Sequence, residues 1–174
     1  MTDISIAPYS PTDAEEMHAA VQESVAEVGR WMPWCHPGYS LDDARGWIVL
    51  QQDLIRQGLG CDYGIRDAQG RFLGGCGINQ VNKANRFANL GYWVRTSAAG
   101  RGVAPAAARL VAERTFRETD SIRLEIVCAV GNIKSQRVAE KAGAMREGIL
   151  RSRIMTPEGP SDAVMYSIIR PSGI

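Results

Sequence analysis

Tyr92-Trp93-Val94-Arg95-Thr96-Ser97-Ala98-Ala99-Gly100-Arg101-Gly102-Val103-Ala104-Pro105 is the stretch that decides the fold. It reads as an apolar strand, a glycine turn, and then an alanine-rich helix. Such a turn leaves several backbone N–H groups unpaired at the positive end of a helix dipole, a ready site for phosphate oxygens. Two familiar phosphate motifs fail on spacing. A Walker A loop ends in Gly-Lys-Ser/Thr, whereas Gly102 is followed by Val103 and Ala104. A dinucleotide fingerprint needs a third glycine where this chain has Pro105. What remains is Gly-x-Gly-x-Ala behind a strand.

Outward from that turn the chain alternates between two hydrophobic periods. Residues 103–118 continue as a helix, and 121–130 follow as a strand in which Ile122, Leu124, Ile126 and Cys128 alternate with Arg123, Glu125 and Val127. A helix over 132–142 ends at Gly143, where a left-handed cap is expected. Strands over 144–154 and 161–170 close the chain, joined by Thr156-Pro157-Glu158-Gly159-Pro160. Upstream, strands at 61–66 and 71–81 flank the hairpin turn Asp67-Ala68-Gln69-Gly70, and a third runs over 87–95. A short strand at 4–8, a helix from Pro11 to Val28 and a helix from Ser40 precede them, with the aromatic loop Trp31-Met32-Pro33-Trp34-Cys35-His36-Pro37-Gly38 between the helices. The order is βααβββαβαββ. A helical crossover joins the strands at 87–95 and 121–130, so these two should be parallel neighbours. The expected fold is mixed α/β: a largely antiparallel seven-stranded sheet with helices on both faces.

Bulk properties narrow the function. At 174 residues the chain is the size of one domain, read as spanning 1–174. A net charge of +1 gives no global attraction to nucleic acid or to a membrane, so any anion site must be local. No apolar run is long enough to span a bilayer, and no signal peptide is read at the start. Cys35, Cys61, Cys76 and Cys128 form no CxxC pair, and only His18 and His36 are there to join them. That inventory argues against a metal site, and the cysteines read as free thiols of a reducing cytoplasm.

The second informative segment is Asn132-Ile133-Lys134-Ser135-Gln136-Arg137-Val138-Ala139-Glu140-Lys141-Ala142-Gly143. Taken as plain structure, Asn132 caps a helix and Ser135 lies in its first turn. Yet this segment and the glycine turn both follow the carboxyl ends of adjacent parallel strands, where open α/β sheets bind ligands. With Gly91-Tyr92-Trp93-Val94, the Arg30-Trp31-Met32-Pro33-Trp34 loop and the closing Asp162-x-x-x-Tyr166, the chain resembles the GNAT acetyltransferases over nearly its whole length. Within them it is most similar to the ribosomal-protein N-terminal (Rim-type) branch.

That resemblance implies a GNAT fold splayed at the central parallel pair, and acetyl-CoA as cosubstrate. Backbone amides of Gly100, Arg101, Gly102, Val103 and Ala104 would hold its pyrophosphate. Trp93, Val94 and Arg95 would border the pantetheine arm, and an amide of that strand would polarise the thioester carbonyl. Asn132 would bond the pantetheine, and Ser135 would protonate the departing sulfur. Trp31, Trp34 and Tyr92, with Tyr39 and Tyr63 as further aromatics, would line the acceptor site. Family turns usually open with Gln or Arg where this chain has Ala99, a loss of about 1.5–3 kcal/mol at most that Arg101 is placed to offset. A homodimer is also in keeping with the resemblance.

No general base is evident. Positions where relatives carry a glutamate hold Asn89 and Ile154, leaving Glu158, Asp162 and His36, each with an ordinary structural reading. An α-amine, with pKa about 7.7–8.0, is partly neutral at pH 7, whereas lysine at about 10.4 is not. A chain without a base is therefore expected to acetylate a protein or peptide N-terminus. Small amines such as an antibiotic, a nucleotide peptide or a polyamine are the second reading, and a non-catalytic CoA-binding domain is the third.

Overall fold

The computed structural model describes residues 3–172. Its strands are β1 (Ile4–Pro8), β2 (Cys61–Asp67), β3 (Phe72–Asn82), β4 (Phe87–Val94), β5 (Arg123–Ala129), β6 (Met145–Thr156) and β7 (Gly159–Ile169). They form one sheet in the order β1-β2-β3-β4-β5-β7-β6. Every neighbouring pair is antiparallel except β4 and β5. The helices are α1 (Ala14–Val28), α2 (Leu41–Gln57), α3 (Val103–Glu118) and α4 (Ile133–Lys141).

The parallel pair is short. Phe87, Ala88 and Asn89 of β4 meet Arg123, Leu124 and Glu125 of β5, and the two strands then part. Each stays paired on its outer side. β4 follows β3 as far as Val94 opposite Gly74, and β5 follows β7 as far as Ala129 opposite Ala163. The inner edges of Leu90–Val94 and Ile126–Ala129 therefore face a slot that no strand fills. Backbone N–H and C=O groups need partners when buried, so this slot is a built-in demand for an extended ligand.

Two apolar layers hold the sheet. On one face α3 and α4 bury Ala107, Ala108, Val111, Phe116 and Ala139 against Leu90, Leu124, Ile126, Cys128 and Tyr166. The alanines let α3 lie close to the strands. On the other face α1 and α2 bury Met17, Val21, Ala44 and Ile48 against Tyr9, Phe72 and Trp93. Alternation within β5 sends Leu124, Ile126 and Cys128 into the first layer, as the period-2 pattern requires.

Local differences from the sequence reading have local causes. Pro11–Asp13 form a single 3-10 turn, closed by a reciprocal cap between Ser10 and Asp13, so α1 begins at Ala14. β5 starts at Arg123, because Ile122 N–H donates to the Arg86 carbonyl outside the parallel register. The last hairpin is tighter than the five-residue loop expected, with only Pro157 and Glu158 between strands. Among the described residues no helix is long and apolar enough to cross a membrane.

Leu124 is fully buried at the root of the parallel pair. Leu124→Ala should cost about 2–5 kcal/mol, read as a lower urea midpoint with an unchanged m-value.

Candidate active site

The glycine turn stands at the exit of β4. Gly100 and Gly102 have φ of 76° and 79°, a left-handed backbone that a side chain would strain. Gly102 is the residue before α3, and the helical ladder begins when Ala106 N–H donates to the Gly102 carbonyl at 3.2 Å. The amides of Val103 and Ala104 and the turn before them lie ahead of that bond, and Pro105 carries no N–H. An anion placed there meets several donors and a helix dipole at once.

Helix α1 fixes the approach to this turn. Glu23 takes Arg95 as a two-point ion pair, with Nε donating to Oε2 at 3.0 Å, and its other oxygen accepts the Ser97 N–H at 2.7 Å. Arg95 holds the Glu23 carboxyl down at about 2. Next along α1, Ser24 Oγ accepts the Thr96 N–H at 3.1 Å. Arg95 also donates to the Phe72 carbonyl at 3.1 Å. Its side chain is thus committed to α1 and β3, and only the Arg95 backbone borders the slot. Trp93 is similar, since its ring belongs to the α1–α2 layer. Val94 ends β4 beside them.

Across the slot, Asn132 Oδ1 accepts the Ser135 N–H at 3.1 Å, which makes Asn132 the cap of α4. Its NH2 group donates to nothing among the described residues. Ser135 Oγ lies 3.1 Å from Tyr92 Oη and 3.2 Å from Cys128 Sγ, and Tyr92 Oη donates to the Ser135 carbonyl at 2.9 Å. Burial raises both the Tyr92 phenol and the Cys128 thiol, so both remain protonated at neutral pH. Tyr92 therefore ties β4 to α4, with Ser135 at the centre of a neutral hydrogen-bonding group.

That placement corrects the expected aromatic wall. Tyr92 points to the α3–α4 face, opposite the face that carries Trp34. Trp34 packs edge-on against Trp93 at 5.4 Å and against Tyr39 at 6.2 Å. Trp31 carries Arg30 over its ring at 5.1 Å and stands against Gly131, just beyond β5. The α1–α2 loop thus spans the slot on one face only. Tyr63 leaves the acceptor set altogether, because it is buried on the α3 side under Arg114. Beside Trp31 a groove is bordered by Arg30, Gly131, Thr156, Glu158 and Pro160.

Asn89, at a position where relatives carry a glutamate, donates to Asn79 Oδ1 at 3.0 Å; of the base candidates, Asp162 Oδ1 accepts the Ser152 N–H at 2.8 Å, pinning the bulge in β6. Glu158 sits on the groove, and Ile154 lies in β6. His36 belongs to the turn closed by the Tyr39 N–H on its carbonyl. One carboxylate lies outside every sequence expectation. Asp62 of β2 is half-buried beneath α2, where Tyr9 Oη donates to its Oδ2 at 3.3 Å and the Trp47 side chain also bonds it. Burial pushes its carboxyl up to about 7. A clue was available in the charged residue at an inward position of Cys61-Asp62-Tyr63-Gly64-Ile65, opposite a glycine-rich strand. Among the described residues no group of His, Cys, Asp and Glu is placed to hold a metal ion.

Comparison with known proteins agrees with this geometry. Residues 3–145 match the family model of the acetyltransferase (GNAT) domain. The chain is 29% identical over 170 residues to the putative ribosomal N-acetyltransferase YdaF of Bacillus subtilis (strain 168), covering 96% of this chain and 91% of that one. Its backbone superposes with a TM-score of 0.88 on RimL, a ribosomal L7/L12 alpha-N-protein acetyltransferase solved with coenzyme A, at 22% identity over 97% of this chain and 95% of that one. It superposes equally, at 0.88 and 21% identity, on the microcin C7 self-immunity acetyltransferase MccE in complex with acetyl-CoA and AMP, over 96% and 92% of the chains.

Glu23 has a folded pKa of about 2, against about 4.3 for a free glutamate. A depressed carboxyl pKa adds stability above the unfolded value and loses it as pH falls through the folded one. Wild-type stability should therefore drop between about pH 4 and pH 2. Glu23→Gln should flatten that window and be about 1 kcal/mol less stable at pH 7, after allowance for solvent exposure, in melts recorded across the range.

Proposed function

The chain belongs to the GNAT acetyltransferases, and from that premise we propose that it acetylates the N-terminal α-amine of a protein or peptide. As a member of that family it is an acetyl-CoA-dependent N-acyltransferase. The observation that carries the site assignment is the slot between β4 and β5, with the glycine turn at the exit of one strand and Ser135 beyond the exit of the other.

In this reading the amides of Gly100, Arg101, Gly102, Val103 and Ala104 take the pyrophosphate. The open edges of the slot take the pantetheine amides, bordered by Trp93, Val94 and Arg95 through their backbone, and the Asn132 NH2 adds a donor. The amine attacks the thioester carbon, a C–N bond forms, and the C–S bond breaks. A backbone N–H of β4 stabilises the oxygen while it carries charge. Ser135 gives its Oγ proton to the leaving sulfur and recovers one from the acceptor nitrogen. The Tyr92 phenol donates to the Ser135 carbonyl and holds the first turn of α4 in register.

Two findings support a protein or peptide acceptor. YdaF carries a ribosomal acetyltransferase name, and the groove beside Trp31 offers a surface path for a chain leading to the slot. Its Arg30 and Glu158 give the path both signs of charge. A small amine remains the second reading, favoured by the packed aromatic cluster of Trp34, Trp93 and Tyr39 beside the same slot.

Ser135→Ala should lower kcat by roughly ten- to a hundredfold, with the acetyl-CoA Kd nearly unchanged. An unaltered kcat removes Ser135 from proton transfer. Thiol-release assays with peptides beginning Ser, Ala or Met, run beside amine antibiotics and polyamines, test the acceptor. Turnover confined to small amines would reverse the order of the two readings.

A further inference from the structure

On the face of the sheet covered by α1 and α2, three neighbouring strands lack side chains at a single place. Asp62 of β2, Gly77 of β3 and Gly91 of β4 lie in one row across the sheet. Gly64, Gly75 and Trp93 form the next row. Residues in directly opposed positions share a face, so Asp62, Gly77, Gly91, Gly75 and Trp93 all point the same way.

Side chains crowd the edges of this bare patch. A Cβ on Gly75 would collide with Tyr9 Oη and lie 2.8 Å from Trp93 Nε1, so both polar atoms converge over that glycine. A Cβ on Gly77 would run into the Cys61 carbonyl and Asp62 Cα and lie 2.5 Å from Asp62 Oδ1, so the carboxylate sits at the seam between β2 and β3. Above Gly91 a Cβ would fit without a clash, at ordinary contact distance from Asn79 Nδ2 (3.8 Å) and Asn89 Nδ2 (3.9 Å). The Trp93 indole N–H donates to no group among the described residues, and no buried side-chain polar atom is left unpaired, so that N–H faces accessible space. These atoms outline a recess: Asp62 and Tyr9 at one end, Gly91 and the mouth of the slot at the other.

Gly91 lies two residues past the last β4–β5 pair, where the strands have just separated. Asp62 on β2 and Gly91 on β4 are two strand spacings apart, roughly 9.6 Å between Cα atoms, and the Asp62 side chain at the β2–β3 seam covers part of that distance. An amine and one water together span the remainder with ordinary hydrogen bonds.

We propose that Asp62 receives the proton of the acceptor's α-ammonium group in this glycine-floored recess, through one water. The inference deepens the acetyltransferase reading above and rests on it. One proton passes from the ammonium nitrogen to Asp62 and leaves the lone pair that attacks the thioester carbon. The second N–H proton travels by Ser135 to the sulfur as the C–S bond breaks, and Asp62 returns its own proton to water.

The surroundings suit that role. Tyr9 is the titratable group bonded to Asp62, Cys61 and Cys76 couple to it from the other face of the sheet, and no cation is among the groups that set its charge. Burial raises its carboxyl to about 7, while the Tyr9, Trp47 and Tyr63 hydrogen bonds act in the opposite sense. A base near 7 lies within about one unit of a peptide α-amine but more than three below a lysine side chain. Asp62 thus selects for the weaker base, the N-terminal amine, by roughly a hundredfold or more.

Asp62→Asn separates this role from a structural one. Between pH 6.5 and 7.5 its kcat/KM on an α-amine peptide should fall about a hundredfold or more, with the acetyl-CoA Kd unchanged. The wild-type profile should level off above about pH 7, whereas the variant's should climb until the amine's own pKa, near 8, so the gap narrows by pH 9. Stability should move the other way. A carboxyl with a raised folded pKa destabilises as pH rises from about 4 to 7, so the variant should melt at or above the wild-type temperature at pH 8. An unchanged rate and pH profile in Asp62→Asn, with active wild type, overturns the proposal alone. Wild type that acetylates no amine overturns it together with the acetyltransferase reading. Equal loss at every pH would assign Asp62 to structure and overturn it too.

Discussion

Everything in this molecule is arranged around two parallel strands that stay together for three residue pairs and then separate. Parting costs backbone hydrogen bonds along both inner edges, and those bonds are the strongest reason for strands to pair at all. The fold tolerates the loss because each strand remains fully engaged on its far side, β4 with β3 and β5 with β7. The slot is therefore a wedge between two intact half-sheets, not a frayed edge. Helices on both faces hold the halves at their angle, and Tyr92 links the two sides from β4 to the start of α4.

The fold was legible because its signals are local. Period-2 alternation in 122–128, glycines at the ends of helices and the hairpin turn at 67–70 each act over a few residues. The crossover helix then dictated the parallel pair, and the order of elements followed. The glycine turn and the Asn132 cap were legible for the same reason, since both announce themselves in sequence. Side-chain commitments were not. Arg95 sits beside the glycine turn in sequence, yet its guanidinium belongs to Glu23, 72 residues earlier. Tyr92 and Trp93 alternate as they must, but only the packed structure tells which of them meets Trp34 and which meets Ser135.

Asp62 escaped notice because its environment comes from four separate segments: Tyr9 after β1, Trp47 in α2, the glycines of β3, and Gly91 of β4. No spacing rule connects them. A half-buried carboxylate without a cation costs stability, and the glycines beside it give up packing that alanines or valines would supply. Such sacrifices at one spot are the usual mark of a site where function sets the sequence.

Helix α1 is pinned to the glycine turn by Glu23 and Ser24, and four residues further on it runs out into the loop that carries Trp31 and Trp34. One rod therefore touches both halves of the active site. Its middle grips the approach to the glycine turn, and its end leads into the aromatic loop on one face of the slot. Because a helix is stiff over that distance, the glycine turn and the aromatic loop are held at a fixed spacing.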